Sequence, residues 1–434
     1  MKVRASHAAR RSRFFAEMGK GVALFPAAPV FPRNRDVEHP YRQDSDFFYL
    51  TGFDEPEAWL VLDARGDAPR SILFLRPKDE TREIWDGKRL GVEAAPAALG
   101  VDEARPVESF EEALPDFLED AKALYFGFGK HRAYDALVLD AIEVVRGRAR
   151  KKVEPPRAVV DTDAILHEHR LRKSEEELEI MRRAGRITGE AHLAAMRAAE
   201  PGRFEYELEA EINRIFRMRG AERPAYETIV GSGPNATILH HRRNDRRMED
   251  GDLVLIDAGC ELEYYASDVT RTFPVNGKFS PAQRAVYETV LRAQEAAIAA
   301  TRPGVTLDDV HRAAVEVLVD GLLEMGLLEG ERAEILEKGA YSKFYMHRTS
   351  HFLGMDVHDV GAYHVEKKPR PLEPGMVITI EPGLYVGENA DVDPAFRGIG
   401  VRIEDDVVVT PDGCENLTAH IPKSVSEIEA AVRG

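Results

Sequence analysis

The sequence predicts an α/β domain followed by an α+β domain whose second half repeats its first. Three observations predict this. In the first part of the chain, strand-like apolar runs alternate with helical stretches. A basic segment with a Pro-Pro pair then interrupts the pattern, and further on a nine-residue glycine–strand–acid pattern occurs twice.

The first domain is expected over residues 1–160. Met1, Lys2, Arg4, Arg10, Arg11 and Arg13 read as the basic face of an N-terminal helix ending near Met18. No apolar run follows it, which argues against a secretory signal. Trp59 to Leu62 and Ile72 to Leu75 are short apolar runs of strand character, and Ala136 to Val145 has helical periodicity. The stretch Arg146 to Arg157 carries six basic residues and a Pro-Pro pair. Proline biases its predecessor toward extended backbone, so a boundary is expected there.

The second domain is expected over residues 161–434. Ser174 followed by Glu177 is a capping-box signature, with Leu178, Met181, Ala184, Ile187, Ala191 and Met196 along one helix face. Ser280-Pro281 and Thr306 mark two more helix starts. Gly251 to Gly259 (GDLVLIDAG) aligns without gaps on Gly375 to Gly383 (GMVITIEPG), each with an apolar strand ending in an acid, Asp257 or Glu381. A second acid follows each copy, Asp268 in one and Glu404 in the other. This echo predicts two related half-domains facing each other.

Composition removes several function classes. With 44% hydrophobic and 31% charged residues, the chain has the balance of a soluble globular protein. No apolar run approaches the ~18 residues that span a bilayer, so no membrane partner is expected. A net charge of −17 repels polyphosphate and argues against nucleic acid. Two cysteines, Cys260 and Cys414, exclude a disulfide framework and a cysteine-rich zinc site, and fit the reducing cytoplasm.

A carboxylate at the end of an apolar strand is costly unless solvent, a cation or a metal compensates it. One such acid alone reads as a strand end reaching solvent. Asp257, Asp268, Glu381 and Glu404, in a duplicated arrangement beside the segment His347 to Asp359 with His347, His351 and His358, read as a metal site. Around one divalent ion four carboxylates leave two surplus negative charges. Two divalent ions balance them, and a pair ~3.5–4 Å apart activates water and polarises a carbonyl together. Oxygen ligands with one imidazole suit manganese or cobalt, with zinc and iron as alternatives.

These motifs resemble the superfamily of methionine aminopeptidase, prolidase and aminopeptidase P, with its pita-bread fold. Asp257-x10-Asp268, His351, Glu381-Pro382-Gly383 and Glu404-Asp405 match the five-ligand signature. Tyr41 to Phe53 (YRQDSDFFYLTGF), Ile229 to Gly233 and Tyr345 to Gly361 are similar to Xaa-Pro aminopeptidases. The resemblance implies two divalent metal ions, with Asp257 on one, His351 and Glu381 on the other, and Asp268 and Glu404 bridging. Hydrolysis of the first peptide bond before proline, by a metal-bridging hydroxide, is the implied reaction. Glu381 is then the general base, His358 a donor to the oxyanion and His240 a neighbour of the leaving proline nitrogen. His347 and Arg402 line the proline side. Trp85 resembles an aromatic that reaches a neighbouring subunit's cleft, which implies a homodimer or homotetramer. Where the family places an aromatic after the first histidine, this chain has His240-His241, and the register from Asp257 selects His240. A prolidase restricted to dipeptides and a non-catalytic pita-bread module that binds peptides are the alternative readings, and the large N-terminal domain disfavours a methionine aminopeptidase.

Overall fold

The strand-like runs of the first part of the chain pair into one mixed sheet. Its order is Glu103–Pro106, Arg70–Leu75, Trp59–Asp63, Val22–Pro26, Ala123–Tyr125 and Ala158–Val160. The computed structural model of the protein describes residues 5–148, 150 and 152–434. Met1, Lys2 and Arg4 of the basic N-terminal run, and Lys151 of the boundary segment, therefore lie outside the described residues.

One face of this sheet is covered by the helices Phe110–Leu118 and Arg132–Gly147. Trp59 stacks on Phe110 with ring centroids 4.4 Å apart, and Phe74 meets Phe110 edge-on. Such aromatic pairs add to the large apolar area they bury. The helix Ala5–Met18 forms as expected, but its face is not uniformly a solvated basic one. Arg11 is buried and donates to the carbonyls of Leu50 and Leu99, because those ends of backbone need donors inside the fold.

The chain divides into two compact units, Met1–His169 and Arg170–Gly434, later than the 160–161 division read from the proline pair. The segment after Pro156 returns to the first sheet as its edge strand, parallel to Ala123–Tyr125. Beyond it, Asp163 accepts from Lys130 at 2.6 Å and His169 meets Glu17 at 2.8 Å, which holds these residues to the first unit.

The second unit is built twice over. In its first half, helices Glu175–Ala198 and Glu205–Met218 precede a sheet of Ile229–Ser232, Leu253–Asp257 and Thr270–Pro274. In its second half, helices Pro281–Ala300 and Leu307–Glu324 precede a sheet of Val377–Ile380, Asp405–Thr410 and Gly413–Asn416. Ser174, Ser280 and Thr306 all close capping boxes at these helix starts. The matched strands are entered through Gly251 and Gly375, both at φ +89°, a conformation that glycine adopts without steric cost. Each matched strand pairs antiparallel with the strand that follows its second acid, Asp257 opposite Thr270 and Ile380 opposite Asp405. The halves meet where Thr270–Pro274 lies against Ile399–Arg402 and Glu404: the Arg402 amide donates to Thr272 Oγ1 at 3.2 Å and the Glu404 amide to the Thr270 carbonyl at 3.1 Å. That contact brings the acid-bearing ends together.

Candidate metal centre

Asp257 is the last residue of its strand, whereas Asp268 and Glu404 sit in turns just ahead of Thr270–Pro274 and Asp405–Thr410, and Glu381 is one step past Ile380. Both acids of each half thus project from one end of an antiparallel pair. His351 joins them because its segment runs beside Val377–Ile380. Phe352 bridges to Ile378, the Thr379 amide donates to the His351 carbonyl at 3.0 Å, and the Glu381 amide donates to the Thr349 carbonyl at 2.8 Å.

The donor atoms of Asp268, His351 and Glu404 lie within 4.8 Å of one another. His351 Nδ1 donates to the Phe352 carbonyl at 3.0 Å, which turns Nε2 toward the acids. Nε2 stands 3.5 Å from both Asp268 Oδ2 and Glu381 Oε1. A carbonyl holding the far nitrogen is the usual support for a metal-binding imidazole. The Tyr226 hydroxyl lies 2.6 Å from Asp257 Oδ1 and 2.5 Å from Asp268 Oδ1. Its single hydrogen serves one of them at a time. Thr270 donates to Glu404 at 2.7 Å, and Arg402 donates to Asp257 Oδ2 at 2.6 Å.

Burial raises the pKa of Asp257, Glu381 and Glu404, and the charge of Asp268 adds to the rise in each. Burial by itself lowers His351, yet Asp268 and Glu381 overcome it and hold the imidazole up at about 9. Both shifts state one condition: the cluster holds more negative charge than Arg402 offsets. Oxygen donors on two facing strand ends, one correctly oriented imidazole and an unbalanced negative charge fit a pair of divalent cations.

The other expected residues line the same cleft, of about 600 Å³. His347 Nδ1 donates to the Arg348 carbonyl at 2.8 Å, so its Nε2 accepts from the Tyr385 hydroxyl at 2.9 Å. Burial, with the Arg402 charge next, lowers His347 to about 3 and keeps it neutral. His358 stands edge-on to His351 with ring centroids 4.5 Å apart. Arg402 reaches the cleft wall, and its guanidinium also donates to Tyr385 and Thr270 at 3.0 Å each. His240 lines the cleft, whereas His241 is buried against Glu205 at 2.9 Å. Trp85 belongs to the first unit, on the helix Glu80–Asp86, and is 81% exposed with its neighbour Ile84.

Tyr226, Tyr385 and Thr270 were not among the residues expected here. Their signal is register. Tyr226 falls just before Ile229, which pairs with Asp257, and Tyr385 sits in the strand whose Gly383 pairs with Arg402. Neither is visible before the pairing is known.

Both units of the chain match known families. Residues 179–411 match metallopeptidase family M24, and residues 7–125 match the aminopeptidase P N-terminal domain. The chain is 48% identical to the Xaa-Pro aminopeptidase of Escherichia coli strain K12, over 97% of this chain and 96% of that one. Among solved structures, the aminopeptidase PepP of Pseudomonas aeruginosa superposes with a TM-score of 0.98 at 49% identity, covering 100% of this chain and 99% of that one. A substrate complex of an Escherichia coli aminopeptidase P variant gives 0.97 at 47%, covering 99% and 98%.

Proposed function

The chain belongs to metallopeptidase family M24, and from that membership and the cleft we propose that it hydrolyses the N-terminal Xaa-Pro bond of peptides. The observation that carries this reading is the convergence of Asp257, Asp268, His351, Glu381 and Glu404 from two halves of one unit onto a single cleft, in a chain that also has the aminopeptidase P N-terminal domain. Two divalent ions held by those five residues supply Lewis acidity at the scissile carbonyl and acidify the attacking water.

The chain's own residues do the rest. The free α-amine of a peptide is received at the buried end of the cleft, beside the residues that hold the ions. Glu381, positioned by the hydrogen bond its backbone amide donates to the Thr349 carbonyl, takes the proton of the attacking water. His358 donates to the oxyanion as it forms. His240 stands by the leaving proline nitrogen, and neutral His347 with Arg402 forms the wall for the pyrrolidine ring. An Xaa-Pro bond is a tertiary amide without N–H, so a site that orients substrate by its amine and carbonyl oxygen loses nothing when proline follows.

Manganese is our assignment for the resident metal, with cobalt, zinc or iron as alternatives, on the strength of the oxygen-rich donor set. We assign the protein to the cytoplasm. Among the described residues no helix is long and apolar enough to cross a membrane. A homodimer or homotetramer is supported by exposed Ile84 and Trp85, whose apolar area invites a second copy. Release of the first amino acid from Xaa-Pro-Xaa tripeptides and longer peptides, with metal content measured on the same sample, tests the assignment. Cleavage confined to Xaa-Pro dipeptides would make it a prolidase, and equal cleavage with alanine at the second position would remove the proline pocket.

A further inference from the structure

The direction in which a peptide lies in the cleft follows from the aminopeptidase reading. Its first residue goes to the buried end, where the four carboxylates and His351 converge, and the remainder of the chain leaves past the exposed lining residues. Arg348, Arg242 and Glu227 also line the cleft, and unlike the clustered acids all three are largely exposed. Arg348 directly follows His347, whose Nδ1 lies 3.6 Å from Glu381 Oε2, so its backbone is one residue away from the reacting groups.

The two arginines differ in how they are balanced. Arg242 pairs with Glu227 at 3.2 Å, and both line the cleft. Arg348 lines the cleft but pairs with Asp308, which is not among the cleft-lining residues. Both arginines remain largely exposed, 63% for Arg242 and 58% for Arg348. Exposed ion pairs of this kind hold their partners weakly and exchange them readily. In a protein of net charge −17, an acidic peptide meets repulsion over most of the surface, which makes a cationic mouth the place where its carboxylate is received.

We propose that Arg348, assisted by Arg242, selects peptides that carry a carboxylate immediately after the proline. The carboxylate is either an acidic side chain at the third position or the terminal carboxylate of a tripeptide. This inference rests on the aminopeptidase reading above and adds a preference beyond proline. Selection of this type acts on the long-range approach and on the bound complex, so it weakens as salt screens it.

The test compares kcat/KM of the metal-loaded enzyme on Ala-Pro-Glu-amide, Ala-Pro-Gln-amide and Ala-Pro-Lys-amide, and on Ala-Pro-Gly as free acid and as amide. The expected Glu-to-Lys ratio is at least about fivefold at low ionic strength and shrinks in 0.5 M salt. A matching advantage of the free acid over the amide in Ala-Pro-Gly assigns the terminal carboxylate as well. An advantage there alone makes it the source, and an advantage of the Glu peptide alone makes the side chain the source. Arg348→Ala brings the ratio close to one, Arg348→Glu reverses it, and Arg348→Lys retains part of it. Arg243→Ala, a change outside the cleft lining, keeps it. Equal kcat/KM for all charge types in the wild-type enzyme, or a ratio that survives Arg348→Ala, overturns the proposal while leaving the aminopeptidase reading standing. Failure to cleave any of these peptides overturns that reading instead.

Discussion

Glu404 and Asp405 are consecutive, both are buried, and their carboxyl groups are treated in opposite ways. Burial pushes both toward the neutral acid. Around Asp405, Arg271 and Lys423 donate at 2.7 and 2.8 Å, with Gln294, Asn416 and Thr418 completing its shell, and the carboxyl is held well below its usual range. Asp359 is handled alike, by Lys173 at 2.8 Å and Arg170 at 2.7 Å. Glu404 receives one hydroxyl and faces Asp268, Glu381 and Asp257, and its pKa rises. The protein supplies its own cations where a buried acid is structural. Where it leaves them out, the cations come from solution. A single step along the backbone, from the residue ahead of the strand to its first residue, separates the two cases.

The largest effects should fall on the acids without protein cations. Chelation should abolish turnover, and added manganese or cobalt should restore it; undiminished activity in a sample shown to be metal-free would break the comparison at its root. Glu381→Gln keeps the shape but removes a base, and turnover is expected to fall at least ~100-fold. Wild-type turnover in that variant with both metals bound would show that Glu381 is not the base.

On the other side of the comparison the loss should be of stability. Arg271→Met leaves Asp405 buried with Lys423 as its remaining cation. Breaking a buried pair from one side costs about 3–5 kcal/mol. Denaturant unfolding of the variant measures it, and a cost under about 1 kcal/mol would mean that Lys423 alone balances Asp405.

The pH dependence of the two sets should have opposite signs. Glu381 in the metal-free fold is raised from 4.5 to about 7, so its contribution to stability is fully present below about pH 4.5 and is lost as pH rises to about 7. Metal-free Glu381→Gln should therefore gain on the wild type across that window, and saturating manganese should remove the gain. Asp359 is depressed, so its contribution is present above the unfolded value of about 3.9 and is lost as pH falls further. Asp359→Asn should be less stable than the wild type at neutral pH and converge on it in acid. Thermal unfolding at a series of pH values checks both, and parallel curves for either pair would refute the sign assigned to it.

Much of this was legible in the sequence, because a glycine, an apolar strand and a terminal acid form a local pattern, and its recurrence exposes the two halves. The helix starts were legible for the same reason, since a cap and its partner lie three residues apart. What could not be read depends on pairing across the fold. Arg271 looks like an ordinary charged strand residue, yet it is fully buried because the facing half supplies Asp405 and the carbonyl of Glu404. Tyr226 joins Asp257 and Asp268 only once Ile229–Ser232 is laid beside Leu253–Asp257. Arg11 shares the basic face of its helix and is nonetheless buried, because helical periodicity says which residues share a side, not which side another element covers.

Glu205 represents a third way to bury an acid, and it yields the smallest expected effect. Among the described residues no arginine or lysine side chain donates to it. The carboxylate accepts from the amide and hydroxyl of Ser232 at 2.7 Å each, from Asn235 at 3.1 Å, from the Arg246 amide at 3.0 Å and from His241 at 2.9 Å. Five donors share the load, so losing one leaves the acid largely satisfied. His241→Phe removes one donor to a charged acceptor and keeps a ring of similar bulk in the same place. The expected cost is about 1.5–3 kcal/mol of stability, the range of a hydrogen bond to a charged group, with turnover near that of the wild type. His240→Ala, one residue away and facing the cleft, should instead lower kcat. Measuring unfolding and turnover for both variants separates the neighbours. If His241→Phe lowers kcat while His240→Ala does not, the roles of the two histidines are exchanged, and the buried network around Glu205 belongs to the reaction rather than to the fold.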